Sequence, residues 1–200
     1  MRAEAIIDLD AIKFNVQHLK KKAGTDVLAV VKADAYGHGL IPVAKAALSA
    51  GASYLGVALL EEAITLRENG ITAPILAWLV QPGSDFESAI TLDIDLAAAS
   101  IKALLEIGAA SKRVGKRARV HLEVDTGMTR GGFLSEWNQL DAHHVADIDI
   151  VGIYSHFARA DEPAEKQNQV QLERFTQMSK TLSSFGFFMS QDIYLTLLQR

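Results

Sequence analysis

Short apolar runs alternate with segments of helical periodicity along the chain, and this alternation constrains the fold more than any other feature. Six runs have the length and composition of buried strands: 27–32, 54–59, 74–79, 95–99, 118–125 and 150–157. Apolar residues at helical spacing follow several of them, at 42–50, 61–69, 101–110 and 167–182. Near-continuous apolar strands joined by helices predict a parallel sheet covered on both faces, either doubly wound or a (β/α)8 barrel.

The two ends of the chain depart from this repeat. Residues 3–8 predict an additional opening strand, followed by a helix at about 9–22. Six units fall short of the eight strands that close a barrel, so either the sheet is open or the chain stops early. The final stretch, FGFFMSQDIYLTLLQR, clusters aromatic residues without periodicity. We therefore predict one domain at 1–184 and an atypical tail at 185–200.

Composition excludes several classes of function. Lys and Arg number 20 against 24 Asp and Glu, and a net charge of −4 gives no excess positive field for nucleic acid or anionic membranes. The absence of Cys removes disulfides, thiolate catalysis and Cys-ligated zinc, and the histidines show no metal-ligand spacing. No apolar run approaches the roughly 20 residues that span a bilayer. We expect a cytoplasmic protein with no metal, nucleic-acid or membrane partner.

A lysine at the end of the first apolar strand is the most informative residue. Lys32 lies in AVVKADAYGHG, and burial of an isolated ammonium favours the free amine that reacts with an aldehyde. Tyr36 adds a phenol donor, and Gly37 and Gly39 let backbone amides approach an anion. The segment suggests a site for a phosphate-bearing aldehyde. A solvent-directed lysine beside an ordinary glycine turn is the alternative.

The fifth strand and its loop carry a second set of polar residues. Strand alternation puts Arg119, His121, Glu123 and Asp125 on one face of the strand that runs into HLEVDTGMTRGG, where they would point toward a barrel axis. Arg130 in the following loop is placed to pair with Glu123 or to donate to a ligand oxygen. A structural ion pair is the alternative. His156 ends the sixth strand and is either catalytic or a rim histidine.

Three motifs in this order, AVVKADAYGHG, VDTGMTR and SHFARAD, resemble the N-terminal barrel domain of bacterial alanine racemases. The similarity extends over about 1–175, through the pentad QLERF. It implies an α/β fold of the (β/α)8 TIM-barrel type, here incomplete at about six βα units and without the family's C-terminal β domain. It also implies a cytoplasmic isomerase that interconverts L- and D-alanine for cell-wall precursors. Members of the family are homodimers, but the resemblance does not decide whether this chain forms a dimer.

The resemblance implies roles for four residues and a cofactor, pyridoxal 5′-phosphate. Lys32 would bind the cofactor covalently and act as the catalytic base on the D-alanine side, and Tyr36 would bind the cofactor phosphate. Arg130 would hydrogen bond to the cofactor's phenolic oxygen and lie near the substrate carboxylate. His156 would contact the cofactor region and support the second catalytic group.

Departures from the family pattern leave the activity of this chain open. Glu123 stands where many members carry a lysine that becomes carbamylated, so we expect independence from CO2. The family's later phosphate-binding stretch and the tyrosine that serves as second base have no counterpart, and Tyr194 in the tail has no matching motif. The resemblance thus implies a racemase chain with an incomplete site. The alternatives are a non-catalytic cofactor-binding barrel and another enzyme of this fold type, such as a D-threonine aldolase.

Overall fold

The computed structural model describes residues 3–184 and 193–196. The chain divides into two compact units, Met1–Leu79 and Val80–Arg200. In both, parallel strands alternate with helices, as the apolar runs predict.

The first unit contains three parallel strands in the order β1-β2-β3. Its elements are α1 (Leu9–Ala23), β1 (Leu28–Val30), the short α2 (Lys32–Gly37), α3 (Leu40–Ser49), β2 (Tyr54–Val57), α4 (Leu60–Glu68) and β3 (Ile75–Ala77). Every residue of β2 and β3 is buried, which explains their uninterrupted apolar character. The three strands and the helices at 42–50 and 61–69 confirm the sequence prediction.

The predicted opening strand at 3–8 is wrong, because the structure has no strand there. Asp8 instead caps α1: its Oδ1 accepts hydrogen bonds from the backbone N–H groups of Asp10 and Ala11 at 2.9 and 3.0 Å. Ile6 is 82% exposed, so its apolar side chain is not buried as a strand residue would be. The predicted helix that follows is confirmed as α1.

Within its described residues, the second unit contains four parallel strands, β4 to β7, with β5 between β4 and β6. Its elements are α5 (Phe86–Thr91), β4 (Asp95–Ala98), α6 (Ile101–Val114), β5 (Ala118–Glu123), two 3-10 turns (Trp137–Gln139, Ala142–Val145), β6 (Ile148–His156), α7 (Lys166–Ser184) and β7 (Ile193–Thr196). The sequence pattern misses α5, which has six residues and begins at an Asp85 cap. β7 lies inside the predicted tail, most of which falls outside the described residues.

A buried carboxylate joins the beginnings of β4 and β5. Asp95 is 1% exposed, and its Oδ1 accepts a hydrogen bond from Arg119 Nε at 2.9 Å. Its Oδ2 lies 3.0 Å from Nε2 of the equally buried His121. Arg119 and His121 therefore share a face of β5, as the alternation predicts. Gly152 on β6 makes room for the His121 ring, since a Cβ at that position would overlap it.

Candidate functional site

Two of the four predicted site residues, Lys32 and Tyr36, lie in α2 of the first unit. Residues 33–36 all have φ between 52° and 57°, a left-handed conformation that costs L-residues roughly 1–2 kcal/mol each. The turn brings Lys32 Nζ to 5.7 Å from the centre of the Tyr36 ring. Lys32 is half-buried and Tyr36 is 57% exposed. An amine and a phenol thus face the same region directly beyond β1.

Side-chain carboxylates hold both ends of this turn. Asp34 Oδ1 accepts the backbone N–H of Leu40, the first residue of α3, at 2.6 Å. At the other end, Glu62 Oε1 accepts the backbone N–H of Ala33 at 2.5 Å. Glu62 is not among the predicted site residues. A glutamate at the third position of a helix is a known capping signal, so the pattern LLEEA could have identified it as a backbone acceptor.

The loop after β5, which carries Arg130, is folded back onto its own strand. Phe133 N–H donates to Glu123 O at 2.7 Å, and Asp125 N–H donates to Phe133 O at 3.0 Å. Asp125 Oδ1 accepts the N–H groups of Gly127 and Thr129 at 2.9 and 3.0 Å. At Gly132, with φ at 113°, a Cβ would lie 2.5 Å from Asp125 N. A side chain at Gly132 would therefore displace the loop that presents the exposed Arg130.

Glu123, Tyr154 and His156 form a compact group at the ends of β5 and β6. His156 Nδ1 lies 3.9 Å from Glu123 Oε1, and its ring meets the Tyr154 ring edge to face at 5.9 Å. Burial raises the pKa of Glu123, and the charge of Arg130 partly offsets that rise. Burial and the neighbouring Glu123 carboxylate raise the pKa of Tyr154 well above its usual range. Tyr154 therefore stays a neutral phenol beside Glu123.

A buried glutamine of α7 forms hydrogen bonds with the segment that follows β5 and with the segment at the end of β6. Gln171 is 1% exposed, and its Nε2 donates to Thr126 Oγ1 at 3.1 Å and to His156 O at 2.9 Å. Its Oε1 accepts the N–H of Ala158 at 2.9 Å. The hydroxyls of Thr126 and Ser155 lie 2.8 Å apart in the same network. Gln171 belongs to the QLERF pentad, but its position in the sequence does not reveal these partners.

Among the described residues, 3–184 and 193–196, no three His, Cys, Asp or Glu side chains are grouped as a metal ion would need. No helix in this part of the chain has the length and apolar character to cross a membrane.

Comparisons with known proteins agree on one family. A family model described as alanine racemase, N-terminal domain, matches residues 7–191. The alanine racemase of Frankia casuarinae is 48% identical over 88% of this chain and 47% of its own length. That of Beutenbergia cavernae is 52% identical over 80% of this chain and 44% of its own. The chain spans about half the length of the curated relatives it matches.

Solved structures give the same result for the fold. An alanine racemase from Streptomyces coelicolor matches with a TM-score of 0.90 and 37% identity, over 95% of this chain and 52% of that one. The Bacillus anthracis enzyme, solved with bound L-Ala-P, matches with a TM-score of 0.86 and 34% identity, over 97% of this chain and 52% of that one. These likenesses confirm the predicted class, an incomplete TIM-barrel-like α/β fold.

Proposed function

Because the chain belongs to the family of alanine racemase N-terminal domains, we propose that it provides the lysine half of a pyridoxal 5′-phosphate-dependent alanine racemase. The substrate in this proposal is alanine, and the product is D-alanine for cell-wall precursors made in the cytoplasm. The observation that carries the proposal is the left-handed turn that puts the Lys32 amine beside the Tyr36 phenol.

The donor groups of α2 fit the proposed cofactor. A primary amine can bind an aldehyde carbon, and a phenol can donate a hydrogen bond to a phosphate oxygen. Lys32 is half-buried, which limits the water around its amine, while the exposed Tyr36 hydroxyl can reach a ligand. Lys32 would hold the cofactor at its aldehyde, and Tyr36 would hold it at the phosphate.

The chemistry then divides between the cofactor and this chain's side chains. Pyridoxal 5′-phosphate, when bound, supplies an electron-withdrawing ring that stabilises negative charge at the substrate α-carbon. Lys32 Nζ would remove and return the α-proton on one face. Arg130 would bind a carboxylate or phenolic oxygen through its guanidinium, and His156 would support the group on the second face. Inversion needs a base on each face, and no described residue is assigned as the second base.

The decisive experiment separates proton exchange from inversion. The full chain is incubated with pyridoxal 5′-phosphate and D-alanine in D2O, with Lys32→Ala as control. We expect an absorbance band of lysine-bound cofactor, deuterium at the α-carbon and retained configuration, all lost in the control. Racemisation by the isolated chain would refute the incomplete site. Cofactor binding without exchange would instead favour a non-catalytic cofactor-binding role, which the Lys32 and Tyr36 pair could also support.

Glu123 supports an additional property of this site. Glu123 provides a carboxyl group beside Arg130 without any modification by CO2, and the charge of Arg130 partly offsets the rise that burial causes in the pKa of this carboxyl. We expect cofactor affinity and exchange rate to be the same in bicarbonate-free and bicarbonate-containing buffer. A marked gain on adding bicarbonate would contradict this role of Glu123.

A further inference from the structure

We propose that Glu62 is a positioning residue for Lys32, because its carboxylate fixes the first peptide unit of the left-handed turn. Glu62 Oε1 accepts the backbone N–H of Ala33 at 2.5 Å, across 29 positions of sequence. That N–H belongs to the peptide unit that also contains the Lys32 carbonyl. The bond therefore restrains the orientation of the peptide unit next to the Lys32 Cα, and with it the direction of the Lys32 side chain.

The second oxygen of the same carboxylate is anchored elsewhere. Glu62 Oε2 accepts the N–H of Ala58 at 3.0 Å and of Leu59 at 2.9 Å, where the chain leaves β2 and enters α4. One carboxylate thus satisfies three backbone donors with its two oxygens. Hydrogen bonds to an ionised acceptor are roughly twice as strong as neutral ones. Glu62 links the end of β2 to the start of the turn that carries Lys32.

The turn needs such a link because its own residues oppose its conformation. Residues 33–36 are Ala, Asp, Ala and Tyr, and none has the freedom of glycine at positive φ. Backbone bonds from Ala35 N–H to Val31 O, at 2.8 Å, and from Gly39 N–H to Asp34 O, at 2.9 Å, close the turn internally. They leave the Ala33 N–H to Glu62. Without this acceptor, we expect residues 32–36 to sample right-handed conformations that carry the Lys32 amine away from Tyr36.

An amide and a matched control variant test the bond directly. Glu62→Gln keeps the size of the side chain but gives one oxygen and two N–H donors, so it cannot serve all three backbone donors. Glu62→Leu removes every acceptor. Glu61→Gln makes the same change of charge one residue earlier, on an exposed side chain of the same helix. All three are made in the full chain and compared by site-resolved amide hydrogen exchange.

Exchange at Ala33, Ala58 and Leu59 should report the loss of the carboxylate. We expect roughly tenfold faster exchange at all three amides in Glu62→Leu, and at one or more of them in Glu62→Gln, with no change in Glu61→Gln. Unchanged exchange at Ala33 in Glu62→Leu would overturn the proposal. If Glu62→Leu does not fold, unchanged exchange at all three amides in Glu62→Gln overturns it instead.

A second readout separates positioning from simple stabilisation, and it rests on the proposed function. The rate at which pyridoxal 5′-phosphate develops the band of lysine-bound cofactor should fall about tenfold in Glu62→Gln and stay unchanged in Glu61→Gln. If amide hydrogen exchange is faster in Glu62→Gln but the band of lysine-bound cofactor develops at the wild-type rate, Glu62 has only a structural role and the proposal is overturned. If the wild-type chain forms no band, the proposed function fails. The rate of reductive methylation of Lys32, relative to the exposed Lys45, then decides whether Glu62 positions the amine.

Discussion

Replacing Gln171 by methionine tests the network that fastens the loops of the second unit. Methionine keeps the approximate volume but removes two donors and one acceptor, which serve Thr126 Oγ1, His156 O and Ala158 N–H. A neutral hydrogen bond contributes about 1 kcal/mol net, so three bonds amount to about 3 kcal/mol. Thr126 keeps its contact with Ser155, and the apolar side chain recovers some transfer free energy. We therefore expect a loss of about 2 kcal/mol in the free energy of unfolding.

Urea unfolding followed by far-UV circular dichroism measures this loss. The matched control is Gln169→Met on the same helix, where an exposed side chain donates to Glu173 Oε1 at 2.9 Å. That change should cost less than about 0.5 kcal/mol. Equal m-values in the two variants would show that the difference arises in stability and not in the unfolded state. If Gln171→Met loses no more stability than Gln169→Met, the buried network does not contribute as its geometry indicates.

Three further predictions follow from the glycines and from Glu123. Gly152→Ala should lower the free energy of unfolding by about 1–3 kcal/mol, because its Cβ would overlap the buried His121 ring. Gly108→Ala in α6, whose Cβ would have its nearest neighbour at 3.8 Å, should leave stability unchanged or raise it. Urea midpoints compare the two variants, and equal losses would contradict the overlap at Gly152. Gly132→Ala should displace the Arg130 loop, and hydrogen exchange at Asp125 and Phe133 should accelerate; unchanged exchange would show that the loop tolerates a side chain. Burial raises the pKa of Glu123, so the folded chain holds that proton more tightly than the unfolded chain. The associated stability is present below the usual carboxyl pKa and is lost as pH rises through the raised value. Glu123→Gln should abolish the part of this decline that begins above the usual carboxyl pKa, measured by urea midpoints against Glu61→Gln. An identical decline in Glu123→Gln would assign it to other groups.

The elements of this fold could be predicted where burial controls the sequence. Buried parallel strands such as β4 and β6 read as apolar runs because both their faces pack against other elements. The prediction of an opening strand was wrong because the apolar stretch at 3–8 does not form a buried strand: Ile6 is exposed and Asp8 caps α1. The helix α5 is too short for its periodicity to stand out.

The sequence singles out the residues proposed to face a ligand, but not the residues that support them. Lys32 and His156 stand out because a titratable residue at the end of an apolar strand conflicts with its surroundings. The left-handed turn cannot be read from Ala, Asp and Tyr, which ordinarily prefer other conformations. The long-range partners of Glu62 and Gln171 could not be predicted, because folding alone brings them together from 29 and 45 positions away.

The carboxylate of Asp95 also has a consequence for how the second unit assembles. A shift of the pairing between β4 and β5 by two residues would still put their apolar side chains on the same faces, because strand residues alternate between faces with a period of two. Such a shift would break the present arrangement, in which Asp95 Oδ1 binds Arg119 and Oδ2 lies beside His121, and removing a partner from a buried charge costs about 3–5 kcal/mol. The charged contacts of Asp95 therefore favour one alignment of β4 and β5 among those that apolar burial alone would not distinguish.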